Sequence, residues 1–189
     1  CYCESGRDNT CGCRHSAQYG ELPFGYDHKY VYSHFGYNLK VTDMQAAIGC
    51  AQLKKFPSFV EKRKYNHAKL KALLKCVEDK IILPKPCENS SPSWFGFLIT
   101  CREGVDRAKV VESVEKAGIQ TRMLFAGNLL RHPCFDEMRS NKEGYRVVGD
   151  LSVTDRIMKD TFWVGVYPGM TDAMIEYMAE SIINALTKL

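Results

Sequence analysis

The chain opens with Cys1, Cys3, Cys11 and Cys13, a C-x-C-x7-C-x-C pattern. Four thiolates this close in sequence, with Gly6 and Gly12 to permit tight turns, can converge on one metal. Soft thiolates suit zinc or an iron–sulfur cluster and suit oxygen-loving ions poorly. Spacing alone leaves both open. Structural zinc uses C-x2-C to C-x4-C pairs, and C-x-C is tighter than that. Iron–sulfur spacing varies more widely. The bland alternative is a disordered start with idle thiols. His15 is either a further ligand or a polar loop residue.

Other residues could move protons or hold anions. Asp27-His28 and Ser33-His34 pair groups able to exchange protons, but two histidines in a loop are weak evidence for catalysis. Asn38 stands shortly before a capped helix, where its amide can bond local backbone or reach a phosphate. Arg156 is a surface charge or an anion clamp. Trp94 and Phe95 read first as core and second as a ring-stacking surface. No nucleophile elbow, phosphate-cradling Walker loop or zinc-protease helix occurs.

The elements that would position these residues follow from periodicity. Residues 1–40 lack helical spacing and read as loop. Thr42-Asp43-Met44-Gln45 has the form of a capping box and opens a helix to about Phe56. Met44, Ala47, Ile48 and Ala51 lie on one face and Leu53 and Phe56 on another, which predicts burial on most sides. Pro57 fits the first turn of a second helix to about Val77, with Val60, His67, Leu70, Leu74 and Val77 inward and its lysines solvated.

Beyond residue 79 strands and helices interleave. Strands are predicted at Lys80–Leu83, Trp94–Cys101, Ile119–Met123 and Phe162–Val166. Asp106 caps a helix that Gly118 stops, a short helix covers about 151–159, and Thr171-Asp172 caps the last helix. That last helix carries an apolar stripe at Met174, Tyr177, Met178, Ser181, Ile182, Ala185 and Leu189. The expected fold is α/β, α+β-like, with helices packed on a small mixed sheet. Three segments are expected: a Cys-rich loop at 1–40, a helical linker at 41–78 and a small α/β domain at 79–189.

Composition narrows the function classes. Of 189 residues, 45% are apolar, enough for a substantial core. A net charge of +4 is mild, and no basic arm or aromatic-basic repeat points to nucleic acid. No apolar run approaches the ~20 residues that span a bilayer. Nine cysteines, without paired spacing in the body of the chain and without a signal peptide, fit a reducing cytoplasm better than a disulfide framework. The start at Cys1 rather than Met suggests a fragment, a processed chain or renumbering.

Longer motifs carry a resemblance. They are Leu22–Tyr30, Tyr32–Ala47, Pro92–Phe97, Thr121–Leu129, Tyr145–Gly149 and Thr154–Met158. In order, and over nearly the whole chain, they resemble the later part of the 3-dehydrases acting on CDP-6-deoxy-L-threo-D-glycero-4-hexulose. These enzymes of lipopolysaccharide biosynthesis form a branch of the DegT/DnrJ/EryC1/StrS sugar aminotransferase family. The resemblance implies the C-terminal region of a fold-type-I PLP-dependent transferase. It implies pyridoxamine 5'-phosphate, held non-covalently, and removal of the C3 hydroxyl of a CDP-4-keto-6-deoxyhexose. It also implies a [2Fe–2S] cluster fed by a flavin and iron–sulfur reductase, and a homodimer.

Position by position, the resemblance assigns Cys1, Cys3 and Cys11 to the cluster, with a fourth ligand further upstream in the family. Cys13 is outside that pattern and is either a substitute ligand or a bystander, at a site that is [2Fe–2S], zinc-filled or empty. Asn38 matches a phosphate contact across the dimer interface, and Lys40 adds charge there. Phe95 and Arg156 match active-site residues, and His34 belongs to the same strip. The histidine base, the partner of the pyridine nitrogen and most phosphate contacts have no counterpart here, so the chain is expected to be inactive alone. Two other readings stand beside this one: a stand-alone metal-binding or self-associating module, and a sugar aminotransferase relative with a Schiff-base lysine.

Overall fold

The computed structural model describes residues 10–37 and 39–188. The chain forms two compact units, Cys1–Ile48 and Gly49–Leu189. Helix α1 (Asp43–Leu73) begins in the first and continues through the second.

The capping box forms as its sequence requires. The Thr42 N–H donates to Gln45 Oε1 at 2.9 Å, and the Gln45 N–H returns to Thr42 Oγ1 at 3.4 Å. Two helices were expected, but α1 runs unbroken through Pro57. Proline removes one backbone donor from the ladder, and the Ser58 hydroxyl satisfies the Lys55 carbonyl in the same turn at 2.7 Å. A second expectation is overturned along the same stretch. Met44, Ile48, Leu53 and Phe56 are 78%, 65%, 70% and 57% exposed. Apolar residues around a helix need partners on several sides, and the described residues supply none there. The last turns behave differently: Asn66, His67 and Leu70 are buried, followed by Leu74 and Val77 in a 3-10 turn.

These residues meet a four-stranded sheet in the order β1-β2-β4-β3. Its strands are β1 (Ile81–Ile82), β2 (Gly96–Cys101), β3 (Thr121–Met123) and β4 (Thr161–Gly165). Every pairing is antiparallel, where a mixed sheet was expected. The cause is topological. The crossover from β2 through α2 (Arg107–Lys116) leaves β3 running parallel to β2, but β4 inserts between them and pairs with both. Asp106 caps α2 through its carboxylate, which accepts from Ala108 N at 2.9 Å. Gly118 ends it at φ +80°, a conformation that favours glycine.

Phe97, Ile99, Phe162 and Val164 of the inner strands are fully buried. Helix α5 (Asp172–Thr187) covers them with Ile175, Ala179, Ile182, Ala185 and Leu186. The expected stripe is thus rotated: Met174 and Tyr177 are 44% and 54% exposed. Each fully buried branched or aromatic side chain contributes roughly 1.5–3 kcal/mol. The lysines expected on a solvated face instead reach across the fold. Lys69 pairs with Glu176 at 2.7 Å, and Lys71 donates to the Pro84 carbonyl at 2.8 Å. Two more helices, α3 (Asp136–Asn141) and α4 (Ser152–Asp160), complete the fold. No helix among the described residues is long and apolar enough to cross a membrane.

Candidate functional site

The loop of the first unit is held by one ion pair. Arg14 donates twice to Asp27 Oδ2, at 2.9 and 2.7 Å. The guanidinium holds the Asp27 carboxyl down at about 2. Asp27 also accepts from Lys29 N at 3.1 Å and caps a 3-10 turn over His28–Tyr30. The His28 N–H donates to the Arg14 carbonyl at 3.3 Å. This folds the segment after the first cysteines onto His28. Ligand atoms of Cys11, Cys13 and His28 lie within 4.8 Å of one another. Asp27 therefore serves the fold rather than proton exchange with its neighbour. His28, not His15, is the imidazole beside the thiols; His15 Nδ1 lies 3.3 Å from the Gly25 carbonyl oxygen.

Cys1, Cys3 and Asn38 lie outside the described residues. Lys40 is exposed. His34 is exposed too, with Nδ1 2.9 Å from Ser33 Oγ.

Phe95 and Arg156 fall in the second unit, at opposite ends of β2. Phe95, just before the strand, is 60% exposed rather than core. Its ring meets Trp163 edge-on, with centroids 5.4 Å apart. The Arg122 guanidinium lies 6.0 Å from the Trp163 centroid, and Trp163 Nε1 donates to the Met123 carbonyl at 3.0 Å. The result is an open aromatic surface with a cation at its margin, suited to stacking against a flat heteroaromatic ring. Trp94 turns the other way, half-buried against His67 at 4.8 Å.

Arg156 lines a pocket beyond the other end of β2, with Arg102, Arg107, Lys159, Asp106 and Asp160. Arg107 is engaged by the Lys159 carbonyl at 2.7 Å. Four cations line this concavity beside three carboxylates, Glu103, Asp106 and Asp160, so the surplus charge open to an anion is small. Sequence reasoning missed the group that orients α4 here. Asp155, next to Arg156, accepts from Asn128 Nδ2 at 2.6 Å and from Arg131 at 3.1 and 2.6 Å. Arg131 holds the Asp155 carboxyl down at about 2. Asn128 and Asp155 lie in two of the quoted motifs, and no spacing rule links residues 27 apart. His67 is buried, and desolvation pushes it down to about 4, with Lys71 adding to the effect.

Residues 13–183 match the DegT/DnrJ/EryC1/StrS aminotransferase family, and the chain belongs to it. It is 54% identical, over 94% of its length, to the lipopolysaccharide biosynthesis protein RfbH of Salmonella typhimurium, covering 40% of that protein. It is 46% identical, over its whole length, to the dTDP-4-dehydro-2,6-dideoxy-D-glucose 3-dehydratase of Saccharopolyspora spinosa, again covering 40%. The chain thus spans about two-fifths of the length of these relatives. Among solved structures it resembles the E. coli GDP-4-keto-6-deoxy-D-mannose-3-dehydratase with bound hydrated PLP. There the TM-score is 0.69 and identity 27%, over 82% of this chain and 38% of that one. The fold is that of a fold-type-I PLP aminotransferase, represented here by a small antiparallel sheet with helices packed on it. Sugar 3-dehydratases are among its relatives, within an aminotransferase family.

Three places in the chain have the chemistry to hold a cofactor, an anion or a metal. The exposed Phe95–Trp163 surface fits a pyridine ring, the Arg156 pocket fits an anion, and the Cys11–Cys13–His28 cluster fits a thiophilic metal.

Proposed function

We propose that this chain is the C-terminal portion of a cytoplasmic nucleotide-sugar 3-dehydrase. It deoxygenates C3 of a CDP-4-keto-6-deoxyhexose for lipopolysaccharide synthesis, as a homodimer. Its cofactors are pyridoxamine phosphate and a [2Fe–2S] cluster supplied with electrons by a flavin and iron–sulfur reductase. When bound, the first supplies an amine and an electron-accepting ring, and the second supplies one-electron transfer.

The chain's own residues bind and orient. Phe95, braced by Trp163, offers a ring face. Asn38 and Lys40 offer an amide and a charge for phosphate, the asparagine across the dimer interface. Arg156, beside Asp155, offers a cation at the other end of β2 from Phe95, and His34 offers an imidazole. Cys1, Cys3 and Cys11 offer three thiolates to the cluster, completed by a fourth ligand from an earlier region. The proton-transfer base comes from that region too, so this chain alone is inactive.

One observation carries the reading over that of an ordinary aminotransferase. Cys1, Cys3 and Cys11, at the C-x-C-x7-C spacing, precede the aminotransferase-type small domain. Transamination needs no thiolate-bound metal. The test is anaerobic reconstitution with iron and sulfide. We expect a visible iron–sulfur chromophore that Cys11→Ser abolishes. Protein that stays colourless and iron-free removes the redox role.

A further inference from the structure

We propose that Cys11, Cys13 and His28 form a seat for a single thiophilic divalent ion, with zinc the best match. This seat shares Cys11 with the cluster set and adds Cys13 and His28, which that set omits.

Three observations support it. The three ligand atoms lie within 4.8 Å of one another. Zinc–sulfur and zinc–nitrogen bonds of about 2.3 and 2.0 Å put tetrahedral ligand atoms roughly 3.5–3.8 Å apart. The spacing is also supported from outside the cluster. Gly12, between the two thiols, adopts φ +69°, which reverses the chain where a side chain would be strained. The Arg14–Asp27 pair and the bond from His28 N to the Arg14 carbonyl then hold the imidazole against the thiol segment. Finally, the donor chemistry is selective. Two thiolates balance a divalent charge and a neutral imidazole completes three ligands, which favours zinc over magnesium or calcium. Binding exchanges the two thiol protons for the ion, so two protons pass to solvent per metal bound.

Cys11 belongs to both sets, so the two occupancies exclude one another. The loop carries zinc where the cluster is not assembled. The seat does not depend on the B6 reading.

Cobalt(II), a spectroscopic stand-in for zinc, tests the seat on the full chain under reducing, anaerobic conditions. We expect one cobalt per chain, a thiolate-to-cobalt charge-transfer band, and displacement by zinc. Cys13→Ser should lower that band by about half, because one of two thiolates is lost. His28→Ala should weaken binding roughly tenfold or more. The exposed Cys134→Ser variant should match the parent. The double variant Cys1→Ser/Cys3→Ser should keep the band, which separates this seat from the cluster set. The proposal is overturned if the parent binds no cobalt. It is equally overturned if Cys13→Ser and His28→Ala bind as the parent does, or if the Cys1/Cys3 double variant loses the band. Iron–sulfur reconstitution is read separately, so failure of the cluster reading leaves this result interpretable.

Discussion

The ring of Phe95 meets that of Trp163 edge to face, with centroids 5.4 Å apart and planes at 86°. Gly96 makes room for this. A Cβ built there would lie 2.6 Å from Trp163 Cε3. The indole cannot easily yield, because its Nε1 is bonded to the Met123 carbonyl. Gly96→Ala should therefore destabilise the domain by about 1–3 kcal/mol, the usual range for overpacking. Denaturant unfolding followed by tryptophan fluorescence measures it; an unchanged midpoint and spectrum would show that the indole is not fixed.

Asp155 ties α4 to the loop bearing Asn128 and Arg131. Its folded pKa, about 2, lies below the ordinary 3.8. The stabilisation is therefore present above about 3.8 and lost as pH falls toward 2. Thermal melts across that window should show a decline that Asp155→Asn flattens. The variant should also loosen Arg156 and weaken anion binding in its pocket, read by titration with inorganic phosphate.

His67 sets a second pH window. It is buried against Trp94 and Phe97, at centroid distances of 4.8 and 4.7 Å. Its Nε2 has no hydrogen-bond partner among the described residues. Burial lowers its pKa from 6.5 to about 4. Below 6.5 the unfolded chain takes up a proton that the folded chain refuses. Stability is therefore complete above about 6.5, falls as pH drops toward 4, and levels off below. The loss should reach roughly 3–4 kcal/mol at about 1.4 kcal/mol per unit. Unfolding curves at several pH values, with His67→Phe as the non-titrating comparison, measure it.

The outward residues Leu53 and Phe56 of α1 are 70% and 57% exposed. Replacing both with serine should change stability by less than about 0.5 kcal/mol per site. It should also reduce self-association, because a contiguous exposed apolar surface marks an interface. Sedimentation of parent and variant at high concentration checks this; a parent that stays monomeric contradicts it.

Much of the architecture was legible because local signals agreed with tertiary packing. The Thr42–Gln45 capping box, the Asp106 cap and the stop at Gly118 all form. The exposed first half of α1 was misread because its apolar residues look like core; sequence pattern does not say whether their partner lies in the same chain. The antiparallel sheet was illegible because the position of β4 between β2 and β3 is a long-range choice. The same holds for the site. Cys11 was visible by spacing, but His28 beside it and Asp155 beside Arg131 depend on chain reversals that no periodicity records.

The most direct test of the account is the product itself. Protein expressed from its own gene, with any earlier region it encodes, is given a CDP-4-keto-6-deoxyhexose, pyridoxamine phosphate and a flavin and iron–sulfur reductase with its reductant. Mass spectrometry then reads the sugar. The account predicts a product that has lost the C3 oxygen, formed only when the reductase system is present. A sugar that keeps its C3 hydroxyl and carries an amine at C4, formed without any reductant, would contradict it.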